Sequence, residues 1–190
     1  MLIFQLSQFW YASETALQLC HELIEAVGGN GRIACISCPT LMQYFPNIDS
    51  YNKDSVVIKL LEYDHRFEKK FPEEYVPYDY RHPLAVPSEL KGNRHFCIKL
   101  SPAIMFQLAG VFDVVIADPP FLADECLVKT AQTIRMLAKP NAKIILCTGA
   151  VMEKMAHRLL GLHRLKFEPQ HANNLSNEFS CFANYETKYL

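Results

Sequence analysis

Asp118-Pro119-Pro120-Phe121 is the segment whose residue types most plainly suit chemistry. It follows a buried apolar run, Phe112 to Ala117 (FDVVIA), and precedes a helical pattern. Pro119 has no backbone N–H to donate and pushes the residue before it out of helical geometry, so a strand must end there. In open α/β sheets such a point lies at the carboxyl edge, where ligands bind. The carbonyls at the strand end and the Asp118 carboxylate can then turn towards a cavity. That set suits an amine. An amine that attacks a methyl sulfonium must present its lone pair in line with the sulfur–methyl bond. A carboxylate and a carbonyl can accept its N–H bonds and fix that direction. The ring face of Phe121 can cover it and favour developing positive charge. The alternative is a proline-stopped strand without chemistry.

A second acidic point is Glu62-Tyr63-Asp64, at the end of the apolar run that starts at Val56. A carboxylate at the tip of a second strand commonly takes a ribose hydroxyl in nucleotide-binding folds. A solvated loop acid is the alternative. Asp79, between Tyr78 and Tyr80, has similar status as an adenine-side group. No GxGxxG follows the first strand, which argues against a nicotinamide enzyme. Ser37, Cys38 and Pro39 stand near that place instead and are candidate cofactor contacts. The opening arm contains Gln5, Ser7, Gln8, Phe9, Trp10 and Tyr11. Its aromatic and amide side chains suit a lid over a cofactor, or an arm packed on the core.

Other constellations carry less. Cys35 and Cys38 have CxxC spacing, but no second ligand pair accompanies them, and strand alternation places the two thiols on opposite faces. No metal site is expected. The seven histidines are dispersed, with neither HxxxH nor HExxH, and no GxSxG supports a hydrolase.

The elements that must carry these residues read as a βα alternation, hence an α/β domain with a mainly parallel sheet. A first helix is capped by Ser13. Its apolar stripe is Ala16, Leu17, Cys20, Leu23, Ile24 and Val27, and it ends at Gly28-Gly29. Strands are expected at 32–38, 56–64, 74–78, 112–117, 143–147, 165–168 and 179–184, the last antiparallel. Helices are expected at 123–138 and 152–160. One domain spans 1–190. Residues 1–12 form its arm near the cofactor, and 88–110 form a surface insertion with a small helix near 103–108.

Half of the 190 residues are hydrophobic and 21% are charged, the balance of a folded domain with a full core. Nineteen basic residues face twenty acidic ones. A near-neutral chain has no global field to hold a polyanion, so nucleic acid is not favoured as a partner. No apolar stretch reaches 18 residues, so no membrane span is expected. Seven scattered cysteines and the lack of a secretion signal point to a cytoplasmic protein with reduced thiols.

Taken together, several stretches resemble the eukaryotic lysine methyltransferases that modify translation elongation factor 1A, a group once labelled adenine-specific DNA methyltransferases. They are FQLSQFWY at 4–11, RIACISCPT at 32–40, LLEYDHRF at 60–67, YDY at 78–80, FDVVIADPPF at 112–121, ILCTGAVME at 145–153 and NLSNEF at 174–179. They occur in order and cover nearly the whole chain. The resemblance implies a Rossmann-like class I fold, with a mostly parallel seven-stranded sheet, an antiparallel strand and helices on both faces. It implies S-adenosyl-L-methionine as cofactor, S-adenosyl-L-homocysteine as product, no metal, and elongation factor 1A as protein substrate. By position, Asp118, Pro119, Pro120 and Phe121 match the family's amine-binding motif. Glu62 and Asp64 match its acidic strand end. Gln5 to Tyr11 match its N-terminal segment. Asn177, Glu178 and Phe179 match a motif near the substrate entrance. The chain departs from the family in having little sequence before residue 4 and a long 88–110 region.

Two other functions fit the same residues. One is methylation of adenine, with a flipped base held against Phe121. The absence of a separate target-recognition region and of basic excess argues against it. The other is a non-catalytic binding module on a decayed fold, which the intact Asp-Pro-Pro-Phe disfavours.

Overall fold

The computed structural model describes residues 10–91, 110–172 and 178–190. Gln5, Ser7, Gln8, Phe9, Asn177 and the helix expected near 103–108 lie outside these residues.

The chain begins with α1 (Ser13–Val27), which buries Ala16, Leu19, Cys20, Leu23, Ile24 and Val27 on one face. Ser13 does not cap it. Ala12 occupies the cap position, and the Ser13 hydroxyl instead accepts a hydrogen bond from Tyr44 at 3.0 Å. Gly28, in the left-handed region at φ 70°, ends the helix and donates its N–H to the Glu25 carbonyl. Then come β1 (Gly31–Ile36), a 3-10 turn at Pro39–Gln43, β2 (Val56–Glu62), α2 (Arg66–Lys70) and β3 (Tyr75–Pro77). Next are β4 (Phe112–Ala117), α3 (Asp124–Leu137), β5 (Ala138–Gly149), α4 (Glu153–Leu160), β6 (His163–Arg164) and β7 (Phe179–Ala183).

The seven strands form one sheet in the order β3-β2-β1-β4-β5-β7-β6. The pairs from β3 through β5 are parallel, and β7 runs antiparallel to both β5 and β6. Alternation along the strands splits the core into two layers. Ile33, Cys35, Ile116, Ile145 and Cys181 face the layer of α1. Ala34, Ile36, Val115, Leu146 and Phe182 face the layer of α3 and α4, with Leu127, Ile134 and Ala156. Helices therefore cover both faces, as a mainly parallel sheet requires.

Three elements differ from the sequence reading. β5 starts at Ala138 rather than Lys143, because the exposed run 139–141 carries no apolar signal although it continues the strand. The sixth strand is His163–Arg164, not 165–168. Both its residues are exposed at the sheet edge, while Leu165 and Phe167 turn towards the core. Cys35 and Cys38 share one core layer instead of opposite faces, because Ser37, at φ 56°, turns the chain between them.

Candidate active site

The strand order reverses between β1 and β4: β2 lies on one side of this pair and β5 on the other. At such a switch point the connections leave in opposite directions and open a crevice at the carboxyl ends. Here the ladder runs one residue past the strands. Ser37 N–H bonds to Leu61 O, Tyr78 N–H to Glu62 O, and Asp118 N–H to Ile36 O. The ends of β1, β2, β3 and β4 thus reach one edge together. A cleft of about 1130 Å³ lies over that edge.

Asp118 is half-buried on the cleft wall, and Tyr11 donates its hydroxyl to Asp118 Oδ2 at 2.8 Å. Burial pushes the Asp118 carboxyl up to about 7, the hydrogen bond from Tyr11 pulls it down, and the nearby Glu62 charge pushes it up. Tyr11 is only 3% exposed. Burial, and then the facing Asp118, hold its phenol well above the ordinary range, so it stays a donor. Pro119 and Pro120 continue the wall, and Phe121 projects from it, 56% exposed.

Glu62 lines the cleft although only 5% exposed. Its Oε1 accepts the N–H groups of Tyr63 at 2.9 Å and Asp64 at 3.1 Å, so the turn after β2 is folded around this carboxylate. Burial raises its pKa, and those two N–H bonds offset part of the rise. Asp64 and Asp79 also reach the cleft, each held by the arginine two residues on. Arg66 reaches Asp64 through Nε at 2.9 Å and Nη2 at 2.6 Å. Arg81 reaches Asp79 through Nε at 3.0 Å and Nη2 at 2.7 Å. These arginines hold both carboxyls below the usual range. Tyr63 is exposed at the rim, with the Arg81 guanidinium 5.7 Å from its ring centre.

Ser37 and Pro39 line the cleft from the end of β1. Ser37 is a non-glycine residue at positive φ, a strained conformation of the kind that collects at functional sites. Cys38 does not line the cleft; it lies in the core below, hydrogen-bonded to Cys35, and burial raises its thiol pKa. Trp10 also lies in the core, tilted against Phe67 at 6.2 Å. Phe179 reaches the cleft and packs edge-on against His171 at 4.6 Å. Glu178 does not line the cleft, and pairs with Arg164 at 2.6 Å. Among the described residues no three His, Cys, Asp or Glu side chains converge as a metal site. None of the described helices is long and apolar enough to cross a membrane.

His65, Arg66, Arg81, Tyr80 and His171 also line the cleft, and the sequence reading assigned them no role. The repeated Asp-x-Arg at 64–66 and 79–81 was a usable signal for the arginines. His171 had none, because it arrives from a segment remote in the chain.

This strand order, with Asp-Pro-Pro-Phe at the tip of its fourth strand, places the fold among the Rossmann-like class I methyltransferases. The chain belongs to the family described as Probable N6-adenine methyltransferase, whose profile matches residues 3–187. Curated relatives carry a different acceptor in their names. Protein-lysine N-methyltransferase M142.8 of Caenorhabditis elegans is 48% identical, with 96% of this chain and 78% of that protein covered. EEF1A lysine methyltransferase 1 of Danio rerio is 44% identical, covering 97% and 99%. Protein-lysine N-methyltransferase EFM5 of Saccharomyces cerevisiae is 32% identical, covering 96% and 71%. Solved structures are more remote. The ribosomal protein L11 methylase of Lactobacillus delbrueckii subsp. bulgaricus is 11% identical at a TM-score of 0.49, covering 94% of this chain and 81% of that one.

Proposed function

We propose that this chain is an S-adenosylmethionine-dependent protein-lysine N-methyltransferase that acts on translation elongation factor 1A in the cytoplasm. The observation that carries the reading is Asp118. It is a half-buried carboxylate on the cleft wall, one oxygen held by Tyr11, with the exposed ring of Phe121 three residues on. The names of the relatives support a protein lysine as acceptor, and that of the Danio rerio relative supports elongation factor 1A.

The cleft fits the cofactor. Its volume of about 1130 Å³ leaves room for a nucleoside–amino-acid ligand beside an entering side chain. Glu62 offers a buried carboxylate to ribose hydroxyls, and Asp79 offers an acceptor to an adenine amino group. S-adenosylmethionine, when bound, supplies a methyl group on a positively charged sulfur.

The remaining work falls to the protein. A lysine with a reference pKa of about 10.4 pays roughly 4.6 kcal/mol to be neutral at pH 7. Desolvation among Phe121, Pro119 and Pro120 lowers that cost by disfavouring the ammonium form. Asp118 accepts an N–H of the amine and aims its lone pair across the cleft. With its carboxyl raised to about 7, Asp118 is also a better proton acceptor than an ordinary aspartate.

The family description favours one other reading, methylation of an adenine amine. Two features weigh against it. The net charge is −1, and both rim arginines are already paired with acids. Incubation with labelled cofactor and either elongation factor 1A or duplex DNA separates the two. Label is expected on a lysine of the factor and not on DNA, and it should vanish with Asp118→Ala. Salt-sensitive label on DNA alone would overturn the proposal.

A further inference from the structure

We propose that Tyr11 is a positioning residue for the reaction: its phenol binds Asp118 Oδ2, turns Oδ1 towards the acceptor amine, and favours the charged form of the acid. The inference rests on the reading of Asp118 as the group that receives the amine.

The geometry is built from three remote parts of the chain. Ala12 N–H donates to Gln170 O at 2.8 Å, and Ala172 N–H donates to Trp10 O at 2.8 Å. Between these bonds, Tyr11 forms an isolated antiparallel bridge with His171. The Tyr11 ring lies 5.4 Å from that of His171, which in turn meets Phe179. The phenol is therefore held from behind and has little freedom to follow Asp118. Among the described residues it is the one hydrogen-bond donor to that carboxylate.

A phenylalanine would fill the same core space. The hydroxyl adds the bond to Asp118 and an interaction with the Cys147 thiol, and a buried hydroxyl without a partner would be destabilising. A carboxylate carries a full charge, so a donor beside it favours the ionised over the neutral form. None of the other groups facing Asp118 favours its charge. Glu62 at the end of β2 repels its charge. Cys38 after β1 and Cys147 on β5 also face it; burial keeps the first a neutral thiol, and the Cys181 hydrogen bond and then burial keep the second so. His171, behind Tyr11, is pushed towards its neutral form by burial. Tyr11 is thus the group that opposes burial and Glu62, and it offsets part of the rise they cause.

The test compares wild type with Tyr11→Phe in two ways. The first is carbon-13 NMR titration of the Asp118 carboxyl in the free protein, assigned with Asp118→Asn. It does not depend on any acceptor. The second is the pH profile of kcat and KM with elongation factor 1A. Removal of the hydroxyl is expected to move the Asp118 midpoint up by about one pH unit. The acidic limb of kcat/KM should move up by the same amount. The value of kcat should fall about 10- to 100-fold, while KM changes less than about threefold. Placing 3-fluorotyrosine at position 11 keeps ring and hydroxyl but makes the phenol a stronger donor, and should move the midpoint down. An unchanged midpoint in both variants would overturn the proposal. A shifted midpoint with no methylation of the factor by wild type would overturn the assigned acceptor instead.

Discussion

The rings of Tyr80 and Phe121, both on the cleft wall, meet edge to face with centroids 5.8 Å apart and planes at 62°. They follow β3 and β4, two strands separated in the sheet by β2 and β1. Edge-to-face pairs of this kind contribute about 0.5–1.5 kcal/mol beyond burial. Tyr80 therefore braces a ring that would otherwise be free to swing, since Phe121 is 56% exposed. Phe121→Ala should lower kcat/KM for the protein acceptor about 10- to 100-fold through lost cover and lost cation–π attraction. Phe121→Tyr should retain most of it. Steady-state kinetics with elongation factor 1A checks both.

Asp118 should link activity and stability to pH in opposite directions. Its folded-state pKa of about 7 lies above the ordinary aspartate value. The stability it contributes is thus fully present at low pH and is lost as pH rises through about 7. Asp118→Asn keeps an oxygen for Tyr11 but removes the charge. The variant should match wild type near pH 4 and exceed it above pH 7, by on the order of 2 kcal/mol once solvent at the cleft is allowed for. Its activity should fall more than about 100-fold. Urea melts at several pH values and single-turnover methylation would show the two trends.

Glu62→Gln isolates the charge at the second strand end. The amide oxygen can still accept the N–H groups of Tyr63 and Asp64, so the turn should keep its shape. Cofactor affinity by calorimetry should weaken about tenfold, because a neutral acceptor binds hydroxyls less strongly than a carboxylate. The Asp118 carboxyl should titrate lower than in wild type, since Glu62 is one of the groups that raise it.

Away from the cleft, Glu22 ties the chain's end to the first helix. It is 1% exposed and accepts Tyr185 OH at 3.0 Å, Lys188 N–H at 2.9 Å and Tyr189 N–H at 2.8 Å. Glu22→Ala strands those donors and should cost about 2–4 kcal/mol. The loss should appear in thermal unfolding, with kcat at low temperature nearly unchanged.

Much of the scaffold could be read from residue order. Phe112 to Ala117 is a strand in the structure over the same span, because six apolar or shielded residues before Asp118-Pro119 leave little alternative. The helix expected at 123–138 forms at Asp124–Leu137 with Leu127, Ala131 and Ile134 inward, as its spacing demanded. The misread parts lacked a local signal. His163 and Arg164 pair with Ala183 and Phe182 at an exposed edge, and nothing in their chemistry marks a strand. The cap at Ser13 failed because the helix starts at Ser13 itself, with Ala12 in the cap position, and the hydroxyl meets Tyr44 from a distant turn.

At the cleft the division is sharper. Local chemistry was enough to mark Asp118 to Phe121, Glu62, Asp64 and Asp79, since an acid or a proline at a strand end announces itself within a few residues. Which neighbour each acid meets could not be deduced that way. Tyr11 and Asp118 are 107 positions apart, and their 2.8 Å bond exists only because residues 10–12 pair with 170–172 and bring Tyr11 to the end of β4. Hydrogen bonds and pKa values depend on distance and burial in space, and these arise when the chain packs. Order along the chain decided the sheet and the acids at its carboxyl edge; packing decided which carboxylate is held, how strongly it keeps its proton, and which rings stand beside it.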